Sequence, residues 1–217
     1  MVKKKGTDAG RHTGNIPVKN LGFTRLFKNY YFITFLFFAM FVNLPVSTLL
    51  PFLPYLIVAV GGETAKLGLL NGCRALVEIP VLLMLRSLRR KFPLPLVVSA
   101  AAIVFCIEAF CLTRVNSFFQ IILLQAFHGI GGGLMIGAAT NYVYSLAPEG
   151  LNSTAHAMYI SIYSVAAILG NFFGGLIIKG VGIFSYFGIV CGVMIFALIY
   201  FYISLLVGIK ILKKPIS

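Results

Sequence analysis

Six long apolar runs, separated by short polar breaks, fill the chain from residue 30 to residue 207 and constrain its fold more than any other feature. Each run is near the roughly 20 residues that an α-helix needs to cross about 30 Å of hydrocarbon. A soluble core could not absorb all six. Apolar residues make up 59% of the chain and charged residues only 11%, against about 25% charged in an ordinary globular protein. Too few charges remain to cover a water-facing surface. In lipid every backbone polar group must be satisfied internally, which for runs of this length means helices. The sequence therefore reads as an all-α, multi-pass membrane protein whose first partner is the lipid bilayer.

The six transmembrane helices are placed at about 30–60, 67–86, 94–113, 118–145, 155–178 and 183–207. Residues 1–29 read as a basic cytoplasmic tail, 30–207 as the helical bundle and 208–217 as a second basic tail. The leading tail lacks an apolar h-region and a small-residue cleavage site, so a cleaved signal peptide is not expected. It ends in a short amphipathic stretch, Leu21–Lys28, suited to the membrane surface. Connections are short: Gly61-Gly62-Glu63, Arg89-Arg90-Lys91, Arg114–Ser117, Pro148-Glu149-Gly150 and Lys179–Gly182.

Net charge is +13, from 18 Lys and Arg against 5 Asp and Glu. In a soluble chain this would point to nucleic acid. Here the basic residues fall on one side of the predicted topology. Fourteen lie in the two tails and the loop region holding Arg86, Arg89, Arg90 and Lys91, against Lys66, Arg114 and Lys179 on the other side. The positive-inside rule then predicts both termini in the cytoplasm and a cell-membrane location, with no nucleic-acid partner. The Asn152-Ser153-Thr154 sequon falls in a cytoplasmic loop and is discounted. Cys73, Cys106, Cys111 and Cys191 all sit in apolar runs without metal-ligand spacing and read as packing residues.

Ionisable side chains inside a span are costly and mark function by default. Arg74 and Glu78 lie in the second span, Glu108 in the third and His128 in the fourth. At a rise of about 1.5 Å per residue, Arg74 and His128 lie roughly 12–17 Å from the outer loops, Glu78 about 18 Å and Glu108 about 9 Å. These depths allow one polar cluster, as a solute site or proton relay requires. Plainer readings exist for each. Arg74 and Glu78, at i and i+4, could simply neutralise each other. His128 could only bond a neighbouring helix, and Glu108 could reach the outer interface or Arg114. Asn71 precedes Arg74 by three residues on the same face.

The first and fourth spans are both interrupted. The first holds Asn43, Pro45, Pro51 and Pro54; the fourth holds Gly129, Gly131, Gly132 and Gly133, then Thr140 and Asn141. Interruptions at matching places in two three-helix groups point to a transporter's binding region. Gly129–Gly133, Gly133–Gly137, Gly170–Gly174 and Gly188–Gly192 have the spacing that lets helix backbones approach, and are expected to pack the bundle. The sequence contains no H-E-x-x-H, G-x-S-x-G, Walker A or G-x-G-x-x-G signature, so neither an enzyme nor a cofactor is expected.

Leu21–Gly62 resembles the lead-in and seventh helix of major facilitator superfamily transporters. The likeness continues through Ala75-Leu-Val-Glu-Ile-Pro80, the Arg86–Phe92 loop, Leu124-Gln-Ala-Phe-His-Gly129, Ala147-Pro-Glu-Gly150, Ser153-Thr-Ala-His156 and Gly170-Asn-Phe-Phe-Gly-Gly175. These segments are similar to the lactose permease, nucleoside and phenylpropionate proton symporter branch. The resemblance covers only the C-terminal six-helix half of such a transporter. It implies one half of a major facilitator fold, built of two three-helix inverted repeats, and proton-coupled uptake of a sugar, nucleoside or aromatic acid by alternating access.

In lactose permease a carboxylate, an arginine and a histidine lie on successive helices, and a glutamate follows the histidine by three residues. Here Arg74 and Glu78, then Glu108, then His128 fill those helices, and Gly131 replaces the glutamate. The usual proton-carrying acid is thus missing, leaving Glu78 or Glu108 for that role. The basic loop resembles a gating motif without its glycine and aspartate. The expected pathway comprises Asn43, Asn71, Arg74, Glu78, Glu108, His128 and Asn171, with Arg86, Arg89 and Arg90 in the gating loop. The expected partners are a small-molecule solute, protons and a second six-helix half, either another copy or an N-terminal half. The alternative is a truncated or accessory half that does not transport.

Overall fold

The structure is a computed structural model, and it describes residues 21–211. The basic residues assigned to the tails before Leu21 and after Ile211 lie outside the described residues.

A short helix α1 (Leu21–Lys28) ends at Asn29, where the chain turns into α2 (Tyr30–Leu49). Asn29 caps α2: its Oδ1 accepts from the Tyr31 and Phe32 amides at 3.1 and 3.4 Å. Its Nδ2 donates to Leu146 O at 2.8 Å, tying the start of α2 to the end of a later helix. The cap thus satisfies orphan amides and docks the element together.

The sequence predicts one span over 30–60; the structure divides it into α2 and a short α3 (Leu53–Ala59). Pro51 has no N–H to continue the helical ladder, and Pro54 sits in the first turn of α3, where a missing N–H costs nothing. Pro45 stays inside α2, and the Thr48 hydroxyl donates to its carbonyl at 2.6 Å. The chain then turns through Gly61, whose φ of 74° favours glycine, and a 3₁₀ turn at Thr64–Lys66.

The remaining long helices are α4 (Leu67–Lys91), α5 (Leu94–Leu112), α6 (Phe118–Leu146), α7 (Asn152–Val181) and α8 (Ile183–Leu206). Among the described residues, six helices are long and apolar enough to cross a membrane. A π-helical turn, Val207–Ile211, follows α8.

Two helices organise the packing. α6 lies against α4 and α5, α2 lies against α7 and α8, and α5 joins the groups by packing on α8. Small residues set both tight contacts. A Cβ at Gly129 would sit 2.5 Å from Arg74 O, and one at Gly133 would sit 3.0 Å from Glu78 O and 2.9 Å from a Val81 methyl, so α6 meets α4 backbone to backbone. Gly137 continues that stripe against Leu85. On α7, Gly170 meets Leu44 O of α2, and Gly174 meets Phe52 and Tyr186. Gly188 and Gly192 differ: a Cβ at Gly188 would reach only a Thr113 methyl at 4.0 Å and one at Gly192 would meet nothing, so this pair sets no close helix contact.

Aromatic rings fill the interior within and between the groups. Phe38 stacks on Phe201 at 4.3 Å, and Phe35 meets Tyr142 edge-on at 4.9 Å. By contrast α4 and α7 bury little: Leu70 and Leu85 are the buried residues of α4. This leaves broad flanks of both helices on the outside of the six-helix unit.

Candidate functional site

A cavity of about 500 Å³ opens between α2, α4, α6 and α7. Its polar lining comes from Asn43 and Ser47 on α2, Arg74 and Glu78 on α4, His128 on α6 and Tyr163 on α7. Phe105, Met135 and Ile136 supply apolar surface. The composition suits a small organic ligand with a few directed polar contacts.

Helix geometry explains why these side chains converge. The Gly129–Gly133 contact brings α4 close enough to α6 that Glu78 and His128 share one wall. Gly132 lies beside the Glu78 carboxyl, where a Cβ would stand 3.7 Å away, so a larger residue would narrow the cavity. Arg74 and Glu78 pair loosely: Nε to Oε2 is 3.8 Å, too long for a hydrogen bond. Arg74 Nε is buried without a hydrogen-bond partner. The two side chains remain 26% and 21% exposed, so the mutual pairing foreseen at i and i+4 is present without filling the cavity.

Glu108 lies behind His128. It is fully buried, and both its oxygens lie 3.1 Å from His128 Nδ1. Its route is therefore inward to α6 rather than outward to Arg114. The Phe105 ring meets the imidazole edge-on at 5.3 Å and holds it in place. A carboxylate on Nδ1 orients the ring, while the side chain as a whole lines the cavity.

Asn43, Arg74, Glu78 and His128 thus come together, with Glu108 as their second layer. Two predicted residues stand apart. Asn71 is exposed near the start of α4, and Asn171 donates to Ala167 O of its own helix; neither lines the cavity. At the far end of α4, Arg89 donates to Asn141 Oδ1 at 2.6 Å, linking α4 to α6, while Arg86 and Arg90 are exposed. Sequence reasoning missed Ser47 and Tyr163. Ser47 follows Asn43 by four residues, a helical spacing that could have flagged it.

The four cysteines are free thiols; Cys106 and Cys191 pack with sulfurs 3.4 Å apart between α5 and α8.

Comparison with curated proteins returns no match. The model of the MFS_1 like family matches residues 2–189. With six helices long and apolar enough to span a bilayer, the chain belongs to the MFS_1-like family of major facilitator membrane transporters.

Proposed function

We propose that the chain moves a small organic solute of the sugar, nucleoside or aromatic-acid class together with a proton, by alternating access, as half of a facilitator-type transporter. The observation that carries this reading is the cavity lined by Arg74, Glu78 and His128 with Glu108 bonded behind the histidine. Arg74 and Glu78 form one pair of opposite charges, and the Glu108–His128 pair behind them offers a place for one further proton. In a water-poor cavity an uncancelled charge is expensive, so solute binding and proton binding favour each other. Asn43, Ser47 and Tyr163 offer uncharged hydrogen bonds to the solute, and Phe105 offers a ring face.

The helix pairing supports a build of two three-helix inverted repeats. Exchanging the first three spans for the last three maps the α2 contacts with α7 and α8 onto the α6 contacts with α4 and α5, and the α5–α8 contact onto itself. The charge asymmetry supports both termini in the cytoplasm of a cell-membrane protein. The exposed flanks of α4 and α7, beside the cavity, favour a second six-helix half across it, either another copy or an N-terminal half. They also suit the second reading, an accessory half that transports nothing by itself.

Uptake into proteoliposomes under an inward proton gradient tests the proposal, with a labelled disaccharide, nucleoside and aryl-propionate as probes. Uptake of one class by the unaltered chain, lost in Arg74→Leu/Glu78→Leu, is the expected result. Full uptake by the double variant would reduce that pair to mutual neutralisation.

A further inference from the structure

A second groove, of about 290 Å³, runs along the opposite side of the α4–α6 contact from the cavity. Val81, Met84, Ser87, Leu88 and Lys91 line it from α4, and Ile130 and Leu134 from α6. On α6, Gly132 and Ile136 face the cavity. Two residues turn a helix by about 200°, so Ile130 and Leu134 point away from it. The groove therefore stays on the perimeter even when the cavity is covered by a second half.

Its polarity is graded along its length. Val81, Met84 and Leu88 are apolar, Ser87 is a hydroxyl, and Lys91 at the helix end is an exposed cation with Arg90 beside it. From Val81 to Lys91 the helix rises about 15 Å, which is half of the roughly 30 Å hydrocarbon thickness. The groove is thus as long as one leaflet is deep, apolar toward the bilayer middle and basic at the interface. Of the basic residues at this end of α4, Lys91 is the one that lines the groove, while Arg89 is bonded to Asn141.

We propose that this groove binds an anionic phospholipid, one acyl chain lying between α4 and α6 and the phosphate at Lys91. Basic pockets between helices at a charged leaflet recognise such headgroups. A zwitterionic lipid fits the same apolar length but gains less from Lys91, so charge is what separates a specific site from ordinary boundary lipid. The site does not depend on what the cavity transports.

The chain contains no tryptophan, so Met84→Trp gives a single fluorophore in the groove. Ile195→Trp, on the exposed side of α8, is the control. The full chain is reconstituted in phosphatidylcholine vesicles containing a small fraction of acyl-brominated phosphatidylglycerol or acyl-brominated phosphatidylcholine. The expected result is quenching of Met84→Trp with an apparent affinity about fivefold higher for the brominated phosphatidylglycerol, the preference of one basic residue at an anionic surface. Lys91→Ala removes that preference, Lys91→Arg keeps it, and Ile195→Trp shows none. Equal quenching of Met84→Trp by the two lipids, or a preference unchanged in Lys91→Ala, overturns the proposal.

Discussion

Glu108 and His128 carry the heaviest chemistry for their size. A carboxylate with no exposed surface survives only when its lone pairs are used, and here both oxygens lie within reach of one imidazole nitrogen. Glu108→Gln keeps the shape and one acceptor oxygen but removes the charge that offsets an added proton. We expect this variant to lose gradient-driven accumulation while retaining solute exchange at equal pH, measured by counterflow in the same vesicles. Loss of both activities would instead assign Glu108 a structural role. Glu108→Leu should also destabilise the fold by about 1 kcal/mol, the scale of one interhelical hydrogen bond in a membrane protein; thermal unfolding in detergent reads this. The cluster was legible in the sequence because depth counted from the loops brings Arg74, Glu78 and His128 to similar heights, with Glu108 less than about two turns shallower. The fates of Asn71 and Asn171 were not legible. Asn171 shares a helix face with the cavity residue Ala167, one turn earlier on α7, but its amide folds back onto the Ala167 carbonyl instead of entering the cavity. Asn71 shares its helix face with Glu78 but lies about 10 Å nearer the start of α4, outside the cavity. How far a cavity reaches along each helix, and which amides turn back onto their own backbone, depends on neighbours that the sequence does not name.

At the scale of elements, close backbone approach places the site. Gly170 meets a backbone carbonyl, which cannot move aside as a flexible side chain can. Gly170→Ala should therefore push α7 from α2 and lower stability by about 1–3 kcal/mol, the usual cost of overpacking. Gly175, about a turn and a half further along α7, has nothing near its missing Cβ, so Gly175→Ala should leave the unfolding temperature unchanged or slightly raised. Equal effects of the two substitutions would contradict the packing described here. The six spanning helices could be read from the sequence because their apolar runs match bilayer thickness. The division of the first run was harder to read. Membrane helices tolerate proline, as Pro45 shows inside α2; the break occurs where Pro51 and Pro54 act together.

For the whole molecule, the open side of the cavity is the central question. α2, α4, α6 and α7 form one wall, and a lone unit would expose Arg74 and Glu78 toward lipid at a cost of several kcal/mol on insertion scales. A partner oriented in parallel across that opening removes the cost. A cysteine at Ala75, exposed on α4, in a chain with its four native cysteines replaced, should cross-link to a second polypeptide in native membranes. A chain that stays monomeric yet transports would refute the paired arrangement. Labelling fixes orientation independently: cysteines at Lys66, Arg114 and Lys179 should react from outside, and those at Arg90 and Glu149 only after permeabilisation. The most direct test of the central claim is proton movement itself. Native membrane vesicles containing the chain, loaded with a pH-sensitive dye, are exposed to the disaccharide, nucleoside or aryl-propionate without an imposed gradient. Internal acidification evoked by one of these solutes, absent in Glu108→Gln vesicles, is the predicted result; solute entry with no proton movement in the unaltered chain would contradict it.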